Sequence, residues 1–168
     1  PSEFGHLSSC YSLLFDLVFV FAITQLSQLL IDHFSLAAAG QALLLLFAVW
    51  WGWIFTAGAG TSWIDPERLP VRALLLVLTI VGLVLSAAIR QAFHSRGLVF
   101  ASAYVVMQVG RTAFVVWAVR GENSRVVRRF QRVLAWLAVA SVFWIAGGVA
   151  GGSSRWWLWV LALALEFI

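Results

Sequence analysis

Apolar residues run through this chain in long blocks separated by short polar links. The first block, 12–31, holds "LLFDLVFVFAI" and closes at Asp32-His33. A second, 36–60, carries "AAAGQALLLLFAVWWGWIFTAGAG" up to a link, "TSWIDPERLP", whose Asp65-Pro66 and Pro70 are turn and helix-start signals. A third block covers 69–92, a fourth 98–119 and a fifth 133–149. The sixth, 156–168, has 13 residues after Arg155, which reach about 20 Å of a hydrocarbon core about 30 Å thick. About 20 apolar residues cross that core as a helix. The pattern therefore predicts an all-α polytopic transmembrane bundle of about six spans, with the sixth truncated. It reads as one transmembrane domain over 1–168, the N-terminal part of a longer protein, since the chain stops at Ile168 in the middle of an apolar run; with Met107 as its only methionine, Pro1 is not expected to be an intact start either.

Composition agrees: 62% of the residues are apolar and 11% charged, against roughly 25% charged in a soluble domain. All 11 basic residues are arginine, which excludes a phosphate-loop lysine and any lysine Schiff base within these residues. Cys10 is the only cysteine, and His6, His33 and His94 are far apart, so neither an internal disulfide nor a Cys/His metal cluster is expected. No nucleophile-plus-base constellation is visible. The expectation is no cofactor, no metal and no enzymatic activity.

Arginine placement orients the bundle. Arg68, Arg72, Arg120, Arg125, Arg128, Arg129 and Arg132 fall on the side of the N-terminus, against Arg90, Arg96 and Arg155 on the other. By the positive-inside rule the N-terminus is cytoplasmic. The loop from Arg120 to Arg132 suits anionic lipid head groups better than nucleic acid, because cytoplasmic loops carry such charge for topology.

A few polar groups lie inside the apolar blocks. A carboxylate at the bilayer centre costs about 2.5–3.5 kcal/mol on insertion scales, so Asp16 is expected to face the bundle interior with a partner. Asp16, Val20, Ile23 and Ser27 share one helix face, with Thr24 and Gln28 at its edge and Gln25 opposite. In the fourth span Tyr104, Gln108 and Arg111 form a single polar stripe at i, i+4 and i+7. Arg111 is the natural counter-charge for Asp16, their depths differing by little more than one turn. Glu166 lies about 16 Å beyond Arg155, with a partner expected in helices outside this sequence. These groups make either an ion, proton or polar-solute site or a buried pair that fixes helix register. Gln25 and Gln28 fit interhelical hydrogen bonding better.

Trp50, Trp51 and Trp53 are read as packing residues, and Trp156, Trp157 and Trp159 as an interfacial belt. Gly52, Thr56 and Gly60, then Gly147 with Gly151 and Gly148 with Gly152, mark close helix approaches.

The blocks "LLFDLVFVFAITQLSQLL", "VWWGWIFTAGAGTSWIDPERLPVR", "RGLVFASAYVVMQVGRTAFVVWAVRG" and "RWWLWVLALALEFI" resemble the bacterial low-temperature-requirement A family, in the family's own order. "FDLVFVFAI" and "QVGRT" are the distinctive ones. The chain departs from the family's pattern at Ser12, where an acidic residue is common, and at Arg90, where proline is common. The resemblance implies a multi-pass bacterial inner-membrane protein associated with growth in the cold, and it supplies no mechanism.

Two functions are expected from this reading. One is transport of a small ion or polar solute around Asp16, Gln108 and Arg111; the alternative is a non-transporting scaffold or sensor supporting growth at low temperature. The partners expected are the bilayer and C-terminal helices of the same protein, with a homo-oligomer left open.

Overall fold

The computed structural model describes residues 3–32, 34–62, 69–120 and 124–167. The described residues form six α-helices: α1 (Glu3–Asp32), α2 (Leu36–Ser62), α3 (Leu69–Ala88), α4 (Gly97–Ala118), α5 (Ser124–Val149) and α6 (Ser153–Glu166). A short 3₁₀ turn, Ile89–Gln91, follows α3. Five helices contain stretches long and apolar enough to cross a membrane: Leu13–Asp32, Leu36–Thr56, Leu69–Gln91, Gly97–Ala118 and Val127–Val149. Asp65, Pro66, Arg68 and His33 lie outside the described residues, as do the side chains of His6, Cys10 and Ser12 and the surroundings of Gly60.

One expected boundary moves substantially. The fifth helix starts at Ser124, so Arg125, Arg128, Arg129 and Arg132 are helical rather than part of a loop ending at Val133. Hydropathy marks the length that fits in lipid, and a helix needs no apolar side chains to continue beyond it.

Local sequence explains several ends. The Ser35 side-chain oxygen accepts from the Ala38 backbone N–H at 3.1 Å and caps α2. Gly152 joins α5 to α6 at φ 64°, a conformation that side-chain-bearing residues rarely adopt. Within the helices, hydroxyls turn back onto the carbonyl four residues earlier: Thr24 onto Val20 at 3.0 Å, Ser86 onto Gly82 at 2.8 Å and Thr112 onto Gln108 at 2.9 Å. That bond lets a hydroxyl sit in an apolar helix without an unmet donor.

The helices group into two compact units, residues 1–90 and 91–168. In the first, α1 packs against both α2 and α3. Its buried stripe is Phe15, Val18, Ala22, Leu26 and Leu29, a 3.6-residue period. Gly82 of α3 gives Val18 room, since a Cβ there would stand 2.9 Å from Val18 Cγ1. Asp32 and Arg90 form an ion pair of 2.6 Å with side chains 42% and 49% exposed, worth no more than about 1 kcal/mol.

In the second unit α5 packs against α4 and α6. Its core is aromatic: Phe100, Tyr104, Trp144 and Trp159 are all fully buried. Trp144 and Trp159 lie 5.4 Å apart by ring centroids, and the Trp159 indole donates to the Trp144 carbonyl at 3.0 Å. Trp159 is therefore a core residue rather than part of an interfacial belt, whereas Trp157 is 69% exposed. Gly147 makes this packing possible, because a Cβ there would fall 2.5 Å from the Trp159 ring. Gly147→Ala is accordingly expected to destabilise the protein by about 1–3 kcal/mol through overpacking. Gly110 meets nothing within 4 Å, and Gly110→Ala is expected to gain up to about 1 kcal/mol from helix propensity. Thermal unfolding of the two variants side by side checks both signs.

Candidate functional site

The most concentrated polar chemistry lies in the second unit, where α4, α5 and α6 enclose a carboxylate. Tyr104, Gln108 and Arg111 occupy one face of α4 and are 0%, 2% and 4% exposed. Opposite them, near the end of α6, stands Glu166. Tyr104 donates its hydroxyl to Glu166 Oε2 at 2.7 Å, and Gln108 Nε2 donates to the same oxygen at 3.2 Å. Trp144 Nε1 of α5 donates to the other oxygen, Oε1, at 2.8 Å. Each of the three helices thus supplies one side of the site.

Arg111 completes the arrangement indirectly. Its Nη2 donates to Gln108 Oε1 at 2.6 Å. This fixes the Gln108 amide, whose nitrogen must then face Tyr104 Oη, 3.0 Å away, and Glu166. The guanidinium and the carboxylate are joined through one amide, with Tyr104 as a parallel link. Such a chain can stabilise a carboxylate charge inside a low-dielectric bundle, and its Tyr–Glu bond is a route along which a proton could pass.

A second carboxylate belongs to the first unit. Asp16 of α1 is exposed, and its Oδ1 accepts from Trp53 Nε1 of α2 at 3.1 Å. Trp53 also stacks on Phe19 with ring centroids 5.1 Å apart. Thr24, Ser27 and Gln28 are exposed on the same flank as Asp16, turned away from the buried stripe of α1.

Residues 8–168 match the family described as bacterial low temperature requirement A protein (LtrA). The chain belongs to that family. An uncharacterized protein of Rhizobium meliloti (strain 1021) is 45% identical over 155 residues, which is 92% of this chain. The chain spans 38% of that relative's length. No solved structure gives a significant match.

The LtrA-family motif "QVGRT" thus contributes Gln108, Arg111 and Thr112 to the buried site. Of the residues singled out from sequence, Tyr104, Gln108, Arg111 and Glu166 come together. Asp16 and Gln28 lie in the other unit, exposed among the described residues. The hydrogen bonds described for the expected Asp16–Arg111 pair lead elsewhere, to Trp53 and to Gln108. Glu166 finds its partners within this chain, where sequence reasoning looked to helices beyond it. Among the described residues no three His, Cys, Asp or Glu side chains gather as a metal site.

Three residues of this LtrA-family chain escaped the sequence reading. Trp53 and Trp144 serve as indole N–H donors to carboxylates, although hydropathy counts tryptophan only as bulk. Arg155 was counted for topology, yet it is buried. Its Nε donates to the carbonyls of Gly147 and Ala150, both at 3.0 Å. Nη1 reaches Ala92 at 3.0 Å and His94 at 2.9 Å, and Nη2 reaches Gly148 at 3.4 Å. The one cue in the sequence is "GGVAGGSSR", a glycine-rich helix end with an arginine close behind it.

Proposed function

We propose that this LtrA-family chain is part of a membrane transporter for a small ion or polar solute, with Glu166 as an ionisable centre held by Tyr104, Gln108, Trp144 and, through Gln108, Arg111. The observation that carries this reading is a largely enclosed carboxylate on α6 bonded to donors from two other helices, α4 and α5. Ionisable groups inside spans are costly and typically mark ion paths, proton relays or polar substrate sites. The three hydrogen bonds occupy most of the roughly four acceptor sites of the Glu166 carboxylate, which favours proton-linked chemistry over direct coordination of a metal cation.

The scaffold or sensor reading keeps one point in its favour. The same hydrogen bonds satisfy the cluster within the chain, as a static pin between helices would require. The family's name refers to growth at low temperature, and on the scaffold reading that role would need only correct packing.

Reconstitution of the full-length protein in vesicles with an internal pH dye separates the two. Transport predicts proton or solute-coupled flux in the wild type that falls to background in Glu166→Gln, with Arg111→Gln also impaired. Absence of flux across a broad solute panel, together with cold growth fully supported by Glu166→Gln, would sink the transport reading.

A further inference from the structure

The first turns of α5 carry Arg125, Arg128, Arg129 and Arg132 at i, i+3, i+4 and i+7, all four exposed. That spacing places them along one side of the helix. The same side continues from Arg132 as Trp136 at i+4 and Val139 at i+7, exposed 49% and 46%. Leu137, Ala140 and Trp144 bury the adjoining side of α5, centred about a quarter turn round the helix from this line. The guanidinium stripe therefore runs into an outward-facing apolar stripe, with a tryptophan where the two meet.

The position along the helix matters equally. The apolar stretch of α5 is Val127–Val149, so Arg128, Arg129 and Arg132 fall in its first two turns and Trp136 follows one turn deeper. Arginine stems at that depth lie along apolar surface while the heads turn back towards the head-group layer. Anionic phosphodiesters are the groups met there. The positive end of the helix backbone adds to the attraction, and the first turn holds no acidic residue to offset it.

We infer that this side of α5 is a binding site for an anionic phospholipid. Its phosphate sits among Arg125, Arg128, Arg129 and Arg132, Trp136 packs at the glycerol level and Val139 lies along an acyl chain. The inference is independent of transport and differs from a purely topological role for the arginines. Topology needs only positive charge on one side of the membrane, whereas a lipid site needs that charge on one face of the helix.

The test uses the full-length protein reconstituted in phosphatidylcholine vesicles with a minor fraction of phosphatidylglycerol, and measures the enrichment of phosphatidylglycerol among lipids retained on extraction. Each arginine near the surface contributes roughly fivefold, so Arg128→Gln, Arg129→Gln and Arg132→Gln together should lower the enrichment by roughly 100-fold. A charge-neutral relocation, Arg132→Gln with Gln131→Arg, keeps the net charge and moves one guanidinium off the stripe; it should lose several-fold. Lysine at all three positions should keep most of the enrichment and certify that the fold tolerates change there. Wild-type protein without enrichment, a triple variant that retains it, or a relocation variant equal to wild type each overturns the inference. Displacement of the lipid by an equal concentration of inorganic phosphate would assign the stripe to soluble phosphate instead, and overturns it too.

Discussion

Arg155→Leu is expected to dismantle the unit built from α4, α5 and α6. The guanidinium supplies donors to carbonyls at the end of α5 and in the turn before α4, and those of Ala92, Gly147 and Gly148 lie in buried hydrogen bonds. Each acceptor left unmet costs about 1–3 kcal/mol, so the sum exceeds about 3 kcal/mol in a fold whose whole margin is about 5–15. Leucine also removes a charge stacked 5.8 Å from the Trp159 ring centroid. Arg155→Lys should recover part of the loss, because an ammonium is a point donor and cannot reproduce a planar fork. Gly97→Ala should resemble the leucine variant, since its Cβ would lie 2.6 Å from the Arg155 guanidinium carbon and 2.8 Å from the Ala92 oxygen. Thermal unfolding and size-exclusion profiles of the full-length protein check this. An unchanged midpoint for Arg155→Leu would mean that water satisfies the carbonyls.

Glu166→Leu is expected to be nearly as damaging, for the converse reason. It leaves donors without an acceptor: Trp144 Nε1 entirely, and the Tyr104 hydroxyl, which keeps only its contact from Gln108. Hydrogen bonds to a charged group are worth about 1.5–3 kcal/mol each, so a loss of about 3 kcal/mol or more is expected. Glu166→Gln should cost less, because one amide oxygen remains, but its new NH₂ faces groups that already donate. Tyr104→Phe alone should cost about 1–2 kcal/mol. Combined with Glu166→Gln it should fall short of additivity by about 1 kcal/mol, since the two residues share a bond. Strict additivity in the unfolding midpoints would show that the Tyr104–Glu166 contact is energetically idle.

The number of helices and their approximate extents are legible in the sequence because crossing lipid demands a length of apolar chain. Helix starts such as Ser124 are less legible, since polar turns continue a helix outside the hydrocarbon without changing its hydropathy. The α4 stripe could be read because Tyr104, Gln108 and Arg111 are the polar exceptions on an apolar helix. The direction in which Asp16 points could not be read. A membrane helix is apolar on both its packed and its lipid side, so the grouping of Asp16 with Ser27 defines a face without saying what that face meets. Within the first unit Phe15 and Val18 take the packed side of α1, and Asp16 sits beside it, within reach of Trp53 on α2. The indole donors were hidden for a simpler reason: the partners of Trp53 and Trp144 are 37 and 22 residues away in sequence.

The interlocked indoles also have a mechanical side. Trp159 of α6 holds a carbonyl of α5, while Trp144 of α5 holds the carboxylate near the end of α6. The two helices are latched in both directions, and sliding one past the other by a turn would break both bonds. The pair is tethered to the turn before α4, where Arg155 grips the Ala92 and His94 carbonyls. With Arg155 pinning one end of α6 and the Glu166 cluster the other, about 16 Å apart, α6 is clamped along its length, and a change at either end strains the bonds at the other.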